Sequence, residues 1–174
     1  MVRAIFPGTF DPIHYGHVDI ALRAVNLFDE LIVAVYDRPL KNLLFSPAER
    51  IELTSQSFKG NGKIKVMGYN NLTVKFCRQV GAKVIVRGLR VFSDFEYEFR
   101  MALANHRLEK DIEVVALITS EEHTFLSSST VKEISSLHGD ISTMVPPHVE
   151  DALLRRMEAI GETDRMNHHT SLRD

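Results

Sequence analysis

The shortages in this sequence narrow it before anything present does. It holds one cysteine, Cys77, and no tryptophan. A lone cysteine excludes an internal disulfide, and no Cys/His spacing matches a zinc site, so no metal-ligating cluster is expected. Cys77 reads as a small buried hydrophobe. No run approaches the ~20 apolar residues of a membrane helix. The opening MVRAIFPG has neither an apolar signal region nor a cleavage site, so the expected location is the cytoplasm, away from membranes. Charge of either sign is not in excess: Lys+Arg 21 against Asp+Glu 23, a net charge of −2. Nucleic-acid binding, which usually needs a basic excess, is therefore not expected. The phosphate signatures GxxxxGK[ST] and GxGxxG are also absent, which excludes P-loop hydrolases and dinucleotide-dependent dehydrogenases. Any phosphate chemistry must come from a few local cations.

What is present is ordinary in bulk and unusual in one place. The chain has 174 residues, 44% hydrophobic and 25% charged, enough for one domain with a core. Short β-rich runs stand at Val2–Phe6, Leu31–Tyr36, Ile64–Met67, Val84–Val86 and Glu113–Ile118. Segments with helical spacing lie between them. Val18, Ala21, Leu22, Val25 and Phe28 form one face of a first helix. Ser46-Pro47-Ala48-Glu49 is a capping box with proline at N1, so a second helix starts there. Ser93-Asp94-Phe95-Glu96 repeats that logic before a helix running to about Leu108. Strands alternating with helices predict an α/β fold: a single doubly wound domain with a parallel sheet covered on both faces. The domain is expected over 1–160, ending in a C-terminal helix. The stretch 161–174 lacks periodicity and reads as a short flexible tail.

In such sheets ligands sit beyond the carboxyl ends of the strands, so the residues after each strand are the ones to inspect. The unusual place is the first of these, FPGTFDPIHYGH, with two prolines, two glycines and two histidines where one turn residue would do. Gly8 lets the backbone turn and approach a ligand. His14 and His17, three apart, face one way in the first helical turn. A helix N-terminus attracts an anion, and a histidine there can donate to a phosphate oxygen whose charge grows in a transition state. After strand two comes Lys41, a cation within reach of the same rim. After strand four comes Arg87-Gly88-Leu89-Arg90, two arginines whose forks match phosphate oxygens. After strand five comes Phe125-Leu126-Ser127-Ser128-Ser129-Thr130. Those hydroxyls either cap a helix, with Thr130-Val131-Lys132-Glu133 as the capping box, or hold a phosphate. The set offers cations and no nucleophile–base dyad, which suits phosphoryl or nucleotidyl transfer by positioning and charge stabilisation. On the third helix Phe95, Phe99, Ala102 and Leu103 make one apolar stripe and Tyr97, Met101, Ala104 and Leu108 another. Either one wide face is buried, or the second stripe meets another subunit.

These residues carry a resemblance. His14-Tyr15-Gly16-His17 resembles the (H/T)xGH element of the nucleotidyltransferase superfamily. Pro7-Gly8-Thr9-Phe10-Asp11-Pro12, Arg87-Gly88-Leu89-Arg90, Asp94-Phe95-Glu96-Tyr97-Glu98 and Ser127-Ser128-Ser129 followed by Val131-Lys132-Glu133 resemble bacterial phosphopantetheine adenylyltransferases over about residues 1–158. The resemblance implies a Rossmann-like sheet of five parallel strands and a homohexamer built as a dimer of trimers. It implies transfer of AMP from ATP to 4′-phosphopantetheine with Mg²⁺ as helper, giving dephospho-coenzyme A and pyrophosphate, with coenzyme A feedback. Carried over residue by residue, His17, Lys41 and Arg90 are the catalytic candidates. Thr9, Lys41, Thr73 and Arg87 would meet phosphopantetheine. Thr9, Phe10, His17, Gly88, Leu89, Arg90, Glu98, His123, Thr124, Phe125, Leu126, Ser127, Ser128 and Ser129 would surround ATP. The sequence departs from the family at Thr73, where a larger apolar residue is common. The nearest rivals keep the fold and change the acceptor, to an alcohol phosphate with CTP or to nicotinamide mononucleotide. A nucleotide sensor without turnover is the rival of another class.

Overall fold

Runs of buried apolar residues decide the sheet. In the computed structural model, which describes residues 1–38 and 43–171 with the side chains of 93 and 162–171 excepted, strand β1 (Arg3–Gly8) lies at its centre. Strand β2 (Glu30–Tyr36) pairs with it in parallel, Ile5 opposite Ile32. Strands β3 (Ile64–Tyr69), β4 (Val84–Leu89) and β5 (Glu113–Ile118) complete an all-parallel sheet of order β3-β2-β1-β4-β5. Side chains alternate across a strand. Leu31, Val33 and Val35 therefore enter one core, with Ile20 and Ala21 of α1 (Tyr15–Ala24), Leu53 of α2 (Pro47–Ser57) and Leu153 of α6 (Pro147–Ser171). Ile32 and Ala34 enter the other, with Val74, Phe76 and Cys77 of α3 (Thr73–Val80). Cys77 is buried as expected, and burial pushes its thiol up to about 12.

The chain steps from β1 to β2 to β3, then crosses to the far side of β1 for β4. That reversal opens a crevice at the carboxyl ends of β1 and β4. Three local readings change. Strand β4 continues to Leu89, so Arg87 and Gly88 belong to the strand and only Arg90 follows it. Helix α4 (Phe92–Leu108) starts ahead of Ser93, with Val91 as its N-cap, and Asp94 accepts the backbone N–H of Arg90. Helix α5 (Ser128–Ser136) is capped by Ser127, whose hydroxyl accepts the Thr130 N–H at 3.0 Å, so Thr130 lies inside the helix.

Neither apolar stripe of α4 is buried as a face. Asp94, Glu98, Ala102 and Asn105 form the more sheltered line, while Phe95, Tyr97, Phe99, Met101 and Leu103 are exposed. The stretch expected as a loose tail is also different: α6 passes through Gly161 without a break and runs to Ser171. One interior glycine costs a helix about 1 kcal/mol, which an established helix absorbs.

Candidate active site

The turn after β1 builds the floor. A Cβ on Gly8 would lie 2.8 Å from the Phe10 ring, so only glycine lets that ring fold under the strand end. Phe10 itself takes a left-handed φ of 50°, an uncommon conformation for a bulky residue. Buried charges hold this geometry. Arg50 of α2, fully buried, donates through Nη1 to the carbonyls of Thr9 and Tyr36, both at 2.7 Å. Asp11 accepts the backbone N–H groups of Leu44 and Phe45 and an ion pair from Lys132 of α5 at 2.8 Å. Each anchor joins segments far apart in sequence, which no local pattern reveals.

Two clefts result. The first, of about 360 Å³, is bounded by Thr9, Phe10, His17, Arg87, Gly88, Arg90, Glu98 and Ser127 to Ser129, all expected site residues. His14, Asp94 and Thr119 also line it. Thr119 immediately follows β5, where the strand-end rule points; Asp94 stands four residues after Arg90, a helical ion-pair spacing. The second cleft, of about 370 Å³, shares Thr9, Arg87 and Glu98 and extends past Tyr36, Tyr69, Thr73 and Met101. Thr73 donates or accepts one hydrogen bond with the Tyr69 hydroxyl, at 3.1 Å. Lys41 lies outside the described residues.

Five expected nucleotide contacts line neither cleft. Leu126 is fully buried in the core, though its carbonyl accepts a 2.8 Å bond from Arg90 Nη1. Leu89 closes β4, its carbonyl bonded to the Thr119 N–H. His123 stacks beside Tyr15 at 6.3 Å, Thr124 donates to the Ser120 carbonyl, and Phe125 is exposed.

The first cleft gathers two arginines, two carboxylates, two histidines and several hydroxyls. The His17 and His14 rings stack, centroids 3.7 Å apart. His17 Nδ1 accepts the backbone N–H of His14 at 3.3 Å, which leaves the proton on Nε2. Burial, then the repulsion that a protonated His17 would meet from His14, Arg90 and Arg87, holds the His17 imidazole well below its usual range. Burial and Arg90 likewise lower His14 to about 3. Both rings are neutral at pH 7. Arg87 grips the Glu98 carboxylate in a fork, 2.8 Å at Nε, and donates to the Pro7 carbonyl at 2.7 Å. Arg90 meets Asp94 at 3.0 Å through Nε. Burial raises the Asp94 carboxyl, and its bonds to Arg90 more than offset this, leaving it below the usual range. Ser128 donates its hydroxyl to the Pro12 carbonyl at 2.9 Å, and Ser127 to Ser129, at the start of α5, border the cleft. Such a site binds an anion and stabilises charge developing on it.

The comparisons agree. The cytidylyltransferase-like family model matches residues 5–134. A phosphopantetheine adenylyltransferase of Roseiflexus castenholzii is 52% identical over 89% of this chain and 97% of its own length. One from Desulfitobacterium hafniense is 51% identical over 88% of this chain and 94% of its own length. The chain belongs to the phosphopantetheine adenylyltransferase family.

A solved Vibrio parahaemolyticus structure, provisionally assigned as a nicotinate-nucleotide adenylyltransferase, covers 88% of this chain and 99% of its own at a TM-score of 0.67 and 20% identity. That likeness establishes the Rossmann-like nucleotidyltransferase fold alone. Thr73 holds a wall position in the second cleft.

Proposed function

We infer that the chain transfers the adenylyl group of ATP to 4′-phosphopantetheine, yielding dephospho-coenzyme A and pyrophosphate. One observation carries this reading: two clefts of similar volume meet at Thr9 and Arg87, one rich in phosphate-type donors, the other walled by tyrosines and methionine. ATP occupies the first cleft and the pantetheine arm the second, which brings the acceptor phosphate to the junction. An oxygen of that phosphate attacks the ATP α-phosphorus. The bond from the α-phosphorus to the bridging oxygen breaks, and pyrophosphate leaves with the electron pair.

The acceptor is already ionised, so no side chain need remove a proton. Thr9 and the Nε2–H of His17 meet the α-phosphate, and the histidine's bond strengthens as charge builds in the transition state. Arg87, with Lys41, orients the acceptor phosphate. Arg90 and the start of α5 hold the leaving phosphates. Among the described residues no three His, Cys, Asp or Glu side chains gather as metal ligands. Mg²⁺ would be carried by the phosphates and water, and would supply charge neutralisation there. Exposed Phe92, Phe95 and Phe99 follow one another along α4, centroids 6.2 and 5.9 Å apart with the second pair stacked, and support a homohexamer joined through this helix. Coenzyme A, sharing the pantetheine arm, would compete for the second cleft as feedback. The absence of any described helix long and apolar enough to cross a membrane is compatible with work in the cytoplasm.

The test is an acceptor panel with ATP or CTP, read by mass spectrometry. Dephospho-coenzyme A from ATP and 4′-phosphopantetheine alone is expected. A product from nicotinamide mononucleotide or an alcohol phosphate instead would overturn the acceptor.

A further inference from the structure

The charges lining the nucleotide cleft cancel. Among the described residues its cations are Arg87 and Arg90, and its anions are Glu98 and Asp94, since both histidines are neutral. The cancellation is built pair by pair. The arginines stand three apart across the end of β4, and the carboxylates stand four apart on one line of α4. Each guanidinium meets one carboxylate and one main-chain carbonyl: Glu98 and Pro7 for Arg87, Asp94 and Leu126 for Arg90. Three of the five N–H groups of each arginine are engaged in these bonds.

A cleft that must seat a polyanion has no electrostatic reason to carry two carboxylates in its wall. The arginines could be steadied by main-chain carbonyls, as Pro7 and Leu126 already do. The carboxylates add repulsion toward each phosphate oxygen that approaches. Repulsion of this kind weakens every bound anion, and it weighs most on a product that has little besides its charge to hold it. Pyrophosphate is that product.

We propose that Asp94, with Glu98 beside it, is a restraining counter-ion that limits the affinity of the cleft for phosphate anions and so speeds the departure of pyrophosphate. The proposal rests on the nucleotide reading of this cleft. Its opposite is a purely positioning role, in which the carboxylates hold the arginines for the ligand and their loss weakens binding. The two roles differ in sign.

The experiment is calorimetric titration of the full-length protein with inorganic pyrophosphate at low and high salt, for wild type, Asp94→Asn and, as an independent site, Glu98→Gln. Both substitutions are nearly isosteric and sit at the cleft wall, so the fold should persist; circular dichroism checks it. Each variant should bind pyrophosphate about tenfold more tightly than wild type at low salt, with the gap narrowing at high salt as screening grows. Equal or weaker binding by both variants would overturn the proposal while leaving the nucleotide reading intact, provided wild type binds. Wild-type protein that binds neither pyrophosphate nor ATP would overturn the nucleotide reading, and the counter-ion role with it.

Discussion

His17 receives a main-chain N–H from His14 on Nδ1 and stacks on the ring of that same residue. The two contacts fix both the plane and the tautomer of His17, so its donor is committed to Nε2 before any ligand arrives. Preorganisation of this kind costs no rearrangement during the reaction. His17→Ala should lower kcat by about 10²–10³-fold, the loss typical of removing one such donor, while the ATP dissociation constant stays near wild type. Steady-state kinetics and equilibrium ATP titration check it; a matching loss of ATP affinity would make His17 a ground-state ligand.

The same pair makes stability depend on pH. His14 is held at about 3 in the folded chain, against an ordinary value of 6.5. Below 6.5 the unfolded chain takes up a proton that the folded chain refuses, so stability is full above that pH and falls as pH drops toward 3. From pH 6.5 to 5, His14 alone should cost about 2 kcal/mol, and His17 acts in the same direction. Urea unfolding at pH 7.5 and 5 measures this. His14→Gln should flatten the dependence; an unchanged slope in that variant would refute the assignment.

Arg50 is buried without a sequence neighbour to explain it. Its guanidinium donates to the carbonyls of Thr9, Tyr36 and Phe45, which tie the ends of β1 and β2 to the start of α2. Arg50→Met would leave buried carbonyls unpaired, at about 1–3 kcal/mol each. A loss of at least about 3 kcal/mol in urea unfolding is expected. A loss under about 1 kcal/mol would mean water replaces the guanidinium.

What the sequence made legible follows from locality. Special residues at the end of β1, arginines at the end of β4 and serines at the start of α5 are all set by strand and helix ends, which short patterns encode. Ser46 behaves as read, its hydroxyl and Glu49 exchanging bonds across the first turn of α2. Arg50, Asp11 and the pairing of Glu98 with Arg87 depend on which segments meet in space, and their residue types look like ordinary surface charge in one dimension. The faces of α4 were misread for the same reason. Its apolar stripes predict burial, but the sheltered line is Asp94, Glu98, Ala102 and Asn105, because the helix turns its carboxylates toward Arg87 in β4 and Arg90 just after it.

That orientation leaves large rings in water on the other side of α4. Phe95→Glu combined with Phe99→Glu should convert a hexamer into smaller species, read as mass by light scattering after size exclusion. An unchanged mass in the double variant would remove α4 from the interface. So would a monomeric wild type.

The central claim is that the two clefts bring a nucleotide and a second phosphate together for one displacement. Pyrophosphate release from ATP and Mg²⁺, followed with and without 4′-phosphopantetheine, tests it most directly. The account predicts release only when the acceptor is present, in equal amount to the dephospho-coenzyme A formed. Release at the same rate without the acceptor, or none with it while ATP still binds, would contradict the account.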